Sequence, residues 1–137
     1  MACADSLPDV SRLYRALSPN WYHQRLSVPE VLTGDYATSG FAFHNHIVSY
    51  AGKRICLLHD ARWRNKISSH PLSIDYLYIS KGYKGRIKEL TTLFRIRTVI
   101  LDTSLSDYRS DILKEDCFRL AIPCVSLKER GALCIRL

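Results

Sequence analysis

The sequence of residues 74–86, IDYLYISKGYKGR, decides the fold because it joins an apolar strand to a turn that contains two glycines. Residues 74–79, bounded by Pro71 and Gly82, have the pattern of a β-strand. A short helix is predicted next, with Ile87, Leu90, Leu93 and Phe94 on one face. Residues 98–101 are largely β-branched and predict a strand that is buried on both faces. This order predicts an α/β domain.

The pattern continues towards the C-terminus with one more helix and two more strands. Ser104 and Asp107 have capping-box spacing, with Asp in place of the usual Glu. The helix that follows is expected to end at Pro123 and to bury one apolar stripe: Tyr108, Ile112, Cys117 and Leu120. Residues 124–127 and 132–137 are predicted as strands, joined by a turn at residues 129–131.

Towards the N-terminus the pattern predicts a hairpin, and before it a helix. Residues 41–50 and 54–59 are predicted strands that pair through a tight turn at residues 51–53. An N-terminal helix, capped by Ser6 and ended at residues 18–20, precedes them. We therefore expect a single α/β domain over residues 1–137, with residues 1–20 as helix and turn. Residues 41–137 should form a mixed β-sheet with helices packed on it.

The positive charge is concentrated in one part of the chain. The 137 residues carry a net charge of +7, and residues 53–97 hold eleven Lys or Arg against three acids. This segment favours an anionic partner, such as nucleic acid or a lipid headgroup surface, although a solvated basic face explains the composition equally well. No apolar run approaches the roughly 20 residues that span a bilayer, so we expect a soluble domain, which could belong to a larger membrane protein.

Cysteine and histidine patterns give little support to a metal site. The five cysteines, Cys3, Cys56, Cys117, Cys124 and Cys134, have no C-x-x-C spacing. We expect them to be small buried side chains, with one disulfide open in an oxidising compartment. His44 and His46 would share one face of a strand and could chelate, but a third ligand is not evident.

Four segments carry a resemblance to a known family: GKRICLLHDARW (52–63), IDYLYISKGYKGRIKEL (74–90), RTVILDTS (97–104) and IPCVSLKERGAL (122–133). They resemble the C-terminal metallo-β-lactamase-like domain of ComEC-type competence and DNA-uptake proteins, in the divergent form of Bacteroidetes-like bacteria. The resemblance implies part of a degenerate metallo-β-lactamase-like fold. It also implies a bacterial inner-membrane parent protein that passes DNA, with this soluble domain outside the bilayer, on its periplasmic side.

The chain departs from that family where active members bind zinc. Their turn after this strand has the pattern Ser-His-x-His-x-Asp-His, and here Ser80 is kept while the ligand positions hold Lys81, Tyr83, Gly85 and Arg86. Lys and Arg have no lone pair to offer a metal at neutral pH, and Gly has no side chain. We therefore expect no catalytic residue, no metal and no cofactor.

Two aspartates at strand ends are expected to be vestiges of the family's site. Asp60 and Asp102 follow the strands on either side of residues 74–79. The resemblance places them where active members carry site residues.

The turn at residues 80–86, in which the family's zinc ligands are replaced, suggests an anion site instead. Its glycines would leave backbone N–H groups accessible at a helix N-terminus, and its cations would surround them. The expected contact residues are Ser80, Lys81, Gly82, Tyr83, Lys84, Gly85 and Arg86. The expected partners are the backbone of single-stranded DNA and the membrane domain of the parent protein. The simpler interpretation is a solvated turn.

Two other functions stay open from sequence. A metal-dependent hydrolase or nuclease could recruit an ion through His59, Asp60 and Asp102 despite the lost motif. A protein-interaction module without a ligand is the other. Tyr76, Tyr78 and Tyr83 lie in or beside the basic segment and could stack on bases, although Tyr76 and Tyr78 more simply pack on one face of their strand.

Overall fold

A computed structural model describes residues 34–136, together with Arg15, Ser18, Pro19 and His23, which are helical. The chain divides into two compact units, Met1–Asp35 and Tyr36–Leu137. Most of the predicted N-terminal helix lies outside the described residues. Ser18 and Pro19, which were expected to end that helix, are themselves helical.

Seven strands form one mixed sheet in the second unit, in the order in which they occur along the chain. They are β1 Tyr36–Ala37, β2 Phe41–His44, β3 Ile47–Tyr50, β4 Lys53–Leu58, β5 Leu72–Ile79, β6 Phe94–Leu101 and β7 Cys124–Ser126. Strands β1 to β4 pair antiparallel, and strands β4 to β7 pair parallel. One helix follows each of the strands β5, β6 and β7, in this order: α1 Ile87–Leu90, α2 Asp107–Arg119 and α3 Leu127–Arg130. The predicted α/β class with a mixed sheet is confirmed.

The parallel strands supply the core through buried β-branched and leucine side chains, and in β6 the successive residues Val99, Ile100 and Leu101 are all buried, so this strand is covered on both faces as predicted. Register pairs Leu58 with Ile79 and Ile79 with Leu101, and all three side chains are at most 1 % exposed. They pack with buried residues of the helices, namely Ile87, Leu90, Leu113 and Cys117. Each such side chain contributes about 1.5–3 kcal/mol when it leaves water. This core fixes the ends of β4, β5 and β6 relative to one another.

The segment predicted as one strand over residues 41–50 is two strands. Asn45 and His46 have positive φ values of 50° and 63°, and they form the two-residue turn between β2 and β3. Asn favours this conformation, whereas His adopts it less often, so the turn has no glycine signal. The prediction that His44 and His46 share a strand face is therefore wrong. The second hairpin, with Ala51 and Gly52 at its turn, is confirmed.

Two predicted helix boundaries are wrong. Phe94 was expected on the first helix, but the chain leaves that helix at Thr91 and Phe94 begins β6. Ser104 was expected to cap the second helix, but Ser106 caps α2 by accepting from the Arg109 N–H at 3.3 Å. Tyr108, expected in the apolar stripe, is 75 % exposed.

The predicted last strand over residues 132–137 is also wrong. The chain turns into α3 directly after β7, and Gly131 ends that helix with φ 83°. Residues 132–136 have no regular secondary structure. Lys, Glu and Arg are good helix formers, so the segment predicted as a turn forms one helical turn.

The described cysteines are all free thiols. Cys56 and Cys117 are buried, as expected for small apolar side chains, and Cys134 is exposed. Cys3 lies outside the described residues. In the part of the chain that the structure describes, no helix is long and apolar enough to cross a membrane.

Candidate functional site

The carboxyl ends of three adjacent parallel strands meet at one edge of the sheet. The turns that follow β4, β5 and β6 are residues 59–62, 80–86 and 102–104. We call these three turns the carboxyl edge. Open α/β sheets bind ligands beyond the carboxyl ends of their strands where the strand order reverses, and the sequential order of β4 to β7 has no such reversal. The residues predicted as an anion site, residues 80–86, and those predicted as vestiges, Asp60 and Asp102, all lie in the carboxyl edge.

Backbone hydrogen bonds hold the three turns together. The Ser80 N–H donates to the Leu58 carbonyl at 3.0 Å, and the Asp102 N–H donates to the Ile79 carbonyl at 2.9 Å. The Lys81 N–H donates to Ser104 Oγ at 3.0 Å. The Lys81 N–H, which was expected to be accessible to an anion, is therefore already paired.

Gly82 brings the turn after β5 against the turn after β4. Its φ of 113° is a conformation that side chains with a Cβ rarely adopt. A Cβ on Gly82 would overlap the carbonyl oxygen of His59 and lie 3.2 Å from the carbonyl carbon. Gly82 is therefore required by this close approach, whatever the turn binds.

Tyr83 points into the core and not towards a ligand. It is 3 % exposed, and its hydroxyl donates to the Arg86 carbonyl at 2.9 Å. Burial raises the pKa of Tyr83 well above its usual range. A Cβ on Gly85 would overlap the Tyr83 hydroxyl, so this second glycine makes room for the ring. Tyr83 is placed neither to stack on a base nor to ligate a metal.

Arg86 pairs with Asp116, a residue that the sequence analysis did not single out. Arg86 Nε lies 2.7 Å from Asp116 Oδ2, and Arg86 Nη2 lies 2.5 Å from Asp116 Oδ1. Asp116 Oδ2 also accepts the Ile87 N–H at 3.1 Å, and the residue is only 5 % exposed. The hydrogen bonds from Arg86 lower the pKa of Asp116. An internal carboxylate thus sits at the start of α1, where an external anion was expected.

Arg109 of α2 closes the turn from the other side. Its Nη2 donates to the Gly85 carbonyl at 2.8 Å and to the Tyr83 carbonyl at 3.3 Å. Through these two hydrogen bonds Arg109 holds the backbone of the turn. Arg86 and Arg109 are therefore positioning residues for the turn.

Two lysines carry the remaining charge of the turn. Lys81 and Lys84 are both exposed, and neither forms an ion pair with any residue in the described range 34–136. They flank Gly82, which holds the turn against the rest of the edge. Of the seven residues predicted as an anion site, these two are the exposed cations that have no ion pair among residues 34–136, whereas the exposed Arg86 pairs with Asp116.

Asp60 is paired with Arg62, and its side chain is 37 % exposed. Arg62 Nε lies 3.0 Å from both carboxylate oxygens, and Arg62 Nη2 lies 2.8 Å from Oδ2. The side-chain hydrogen bond from Arg62 lowers the pKa of Asp60 to about 2. His59 Nε2 is 3.9 Å from Asp60 Oδ2. Asp60 is therefore a carboxylate that holds its own turn.

Both oxygens of the Asp102 carboxylate also accept hydrogen bonds. Its Oδ1 accepts from the Tyr78 hydroxyl at 2.5 Å, and its Oδ2 accepts from Ser104 Oγ at 2.5 Å and the Ser104 N–H at 3.1 Å. Burial opposes ionisation, but the hydrogen bonds from Ser104 and Tyr78 outweigh it and lower the pKa of Asp102. Tyr78 is thereby fixed on the sheet and is not an open stacking surface.

The zinc that active members of the resembling family bind does not fit the residues present in this chain. Its ligand positions hold two cations, one glycine and a buried tyrosine whose hydroxyl is already a donor. Among the described residues, no three His, Cys, Asp or Glu side chains lie close enough together to hold a metal ion. The arrangement therefore resembles a structural turn with two exposed lysines more than a hydrolytic centre.

Comparisons with known proteins place the chain. Neither the curated proteins nor the solved structures contain a match to it. The family model described as the ComEC C-terminal domain matches residues 1–137, which is the whole chain. The chain therefore belongs to the ComEC C-terminal domain family.

Proposed function

We propose that this chain is a non-catalytic domain of a ComEC-type membrane protein and contacts the DNA backbone. The family suggests a role in competence DNA uptake. The parent protein would lie in a bacterial inner membrane, with this domain outside the bilayer on the periplasmic side. The observation that carries the DNA contact is the pair of exposed lysines at the carboxyl edge, which form no ion pair within residues 34–136.

The proposal that the domain is non-catalytic is supported by the hydrogen bonds of the polar groups at the carboxyl edge. Asp60 is bound by Arg62, and Asp102 is bound by Tyr78 and Ser104. A metal site at these carboxylates would have to break charge-assisted hydrogen bonds, which are about twice as strong as neutral ones. The carboxylates are used for folding and not for chemistry.

The DNA contact is supported by charge and position together. Lys81 and Lys84 project from a turn that backbone hydrogen bonds and Gly82 hold in place. Exposed lysines on a fixed turn can each neutralise one phosphate without reading the bases. Such binding is independent of sequence and weakens as salt rises, because counterions are released from the nucleic acid.

The first test is the double substitution Lys81→Gln and Lys84→Gln. We expect the affinity for a labelled single-stranded oligonucleotide at low salt to fall about tenfold. The slope of log affinity against log salt should also become shallower by about 1.4, because each of the two lost phosphate contacts contributes about 0.7 on a single strand. Fluorescence anisotropy over a salt series measures both quantities.

A charge-matched control separates a local contact from a general effect of net charge. Arg130→Gln together with Arg136→Gln removes the same charge at two exposed residues outside the turn. Unchanged affinity in the Lys81 and Lys84 variant, or an equal loss in the control, would rule out a specific contact at the carboxyl edge.

The second test addresses catalysis. We expect purified protein to contain no stoichiometric metal by elemental analysis, and to leave single-stranded DNA uncut when manganese or zinc is added. The reason is that the carboxyl edge offers no set of free ligands among the described residues. Stoichiometric metal together with metal-dependent cleavage, abolished by Asp102→Asn, would replace this proposal with the nuclease alternative.

A further inference from the structure

Two cysteines bring their thiols together between the last turn of α2 and the strand β7. Cys117 is 1 % exposed, whereas Cys124 is half-buried. Both side chains pack in the same hydrophobic cluster, and they are hydrogen-bonded to each other. Both are free thiols. Neither residue belongs to the carboxyl edge, so the function proposed above does not use this pair.

The end of α2 turns the chain back at Cys117. The Ile122 N–H donates to the Cys117 carbonyl at 2.9 Å, and the Ala121 N–H donates to the Phe118 carbonyl at 3.2 Å. Together these two hydrogen bonds form a Schellman motif, and Ala121 has the left-handed conformation that the motif needs, with φ 55°. The chain therefore reverses directly after the helix and enters β7 at Cys124.

Strand pairing fixes Cys124 from the other side. Cys124 lies opposite Val99 in the parallel register of β6 and β7, and the Val99 N–H donates to the Pro123 carbonyl at 2.8 Å. Residues opposite each other in a sheet point to the same face. Val99 is fully buried in the cluster that also holds Cys117. Backbone hydrogen bonds thus hold both chain segments that carry the thiols, and the contact is part of the fold.

The two thiols differ in how readily they ionise. The hydrogen bond with Cys117 lowers the pKa of Cys124; burial opposes this effect, and the positive charge of Lys114 adds to it. Glu129 of α3, which also pairs with Lys114, opposes the ionisation of Cys124. The same hydrogen bond, together with burial, raises the pKa of Cys117. Cys124 is therefore both the more accessible thiol and the one that ionises first, and thiolates are the species that attack disulfides.

We propose that Cys117 and Cys124 are a redox-active pair, which a disulfide oxidant such as glutathione disulfide converts into an internal disulfide. The Cys124 thiolate attacks one sulfur of the oxidant, forms a mixed disulfide and releases the first thiolate. Cys117 then attacks the Cys124 sulfur, and the second thiolate leaves. The oxidant gains two electrons and the two cysteine protons, and becomes two thiols. The inference goes beyond the proposed function, whose periplasmic position would supply an oxidising environment.

The first test maps the cysteines of the full chain. Reduced protein is incubated with glutathione disulfide, alkylated at its remaining thiols and digested with trypsin, which cleaves after Lys and Arg and so places each cysteine in a different peptide. The expected product, seen by mass spectrometry, is a link between peptides 115–119 and 120–128, which carry Cys117 and Cys124. Two separately alkylated peptides, or a link that forms only in denaturant, would overturn the proposal.

Single substitutions test the order of attack. Cys117→Ala should stop at the mixed disulfide, so that Cys124 keeps one glutathione. Cys124→Ala should leave Cys117 unmodified, because that thiol is buried. Glutathione on Cys117 in the second variant, and none on Cys124 in the first, would contradict the roles assigned to the two thiols. The peptide map of the unmodified chain needs neither variant to fold.

A thermal melt tests whether the disulfide forms within the native fold. Closing the loop 117–124 restricts the unfolded chain, so oxidised protein should melt about 8 °C above reduced protein. Cys56→Ala is the control, since burial raises the pKa of Cys56 to about 12, and this variant should keep both the link and the shift. Loss of the link in that variant, or an equal shift in Cys124→Ala, would assign the oxidation to another cysteine and overturn the proposal.

Discussion

Replacing Gly82 with alanine will destabilise the protein by about 4 kcal/mol, the largest single-residue effect that we expect at the carboxyl edge. Two causes add. The backbone φ of 113° is strained for any residue with a Cβ, and the new Cβ would overlap the backbone carbonyl of His59. A backbone atom can move away only if the turn after β4 moves with it. Chemical denaturation measures the effect as a fall in the unfolding midpoint at constant slope.

Gly52→Ala is the matched control for Gly82→Ala. Gly52 also has a positive φ, 73°, but an alanine Cβ there would meet no atom within 4 Å. Its cost should therefore be about 1 kcal/mol, which is the conformational part alone. If the two substitutions cost the same, the contact between Gly82 and His59 is not tight in solution.

The Gly82 contact also bears on how glycine in this turn is interpreted. In the sequence, Gly82 and Gly85 suggested backbone N–H groups bared for an anion. In the structure each has a packing reason, because one lies against His59 and the other makes room for the Tyr83 ring. Close packing therefore explains both glycines of this turn, and their presence does not by itself indicate a phosphate site.

The parallel part of the fold was predictable because its strands are short apolar runs with clear ends. Residues 74–79 and 98–101 are β-branched or aromatic at most positions, and buried parallel strands need this composition. The turn at His46 was not predictable, because a positive φ at histidine comes from the pairing of β2 with β3. At this turn, strand pairing in the hairpin determines the backbone conformation more than the local propensity of histidine does.

The turn between β5 and α1 was predicted from sequence, but its hydrogen-bond partners were not. A strand-turn-helix pattern indicates where the turn lies, whereas the partner of Arg86 comes from 30 positions away. One signal for Asp116 was present. It is an acid next to Cys117 and three residues after Leu113, within the apolar stripe of α2, and both neighbours are buried. A charge in such a stripe predicts a buried partner, because an unpaired buried carboxylate is too costly.

Replacing Asp116 with alanine will destabilise the protein by about 3 kcal/mol at neutral pH. The change removes a buried carboxylate that accepts two hydrogen bonds from Arg86 and one from the Ile87 N–H. The Ile87 N–H at the start of α1 would then lose the acceptor that this carboxylate provides. Part of the cost is relieved because the Arg86 side chain is 47 % exposed and can be hydrated. Glu115→Gln is the control, since Glu115 pairs with Arg119 at the surface and should contribute less than about 1 kcal/mol.

Asp116→Asn removes the charge and replaces one accepting oxygen with an NH₂ donor, and the contribution of the charge is followed through the pH dependence of stability. The folded state lowers the pKa of Asp116, so this carboxylate stabilises the fold fully above its unfolded pKa of about 3.9. That stabilisation is lost as the pH falls from there through the lower folded value. Asp60 and Asp102 also have lowered pKa values, so the unmodified chain should still lose stability in acid for several reasons. The free energy difference between the chain and the Asn variant should therefore be constant above about pH 5 and shrink below about pH 4. A difference that stays constant down to about pH 2 would mean that the Asp116 carboxylate is not held in its charged form by Arg86.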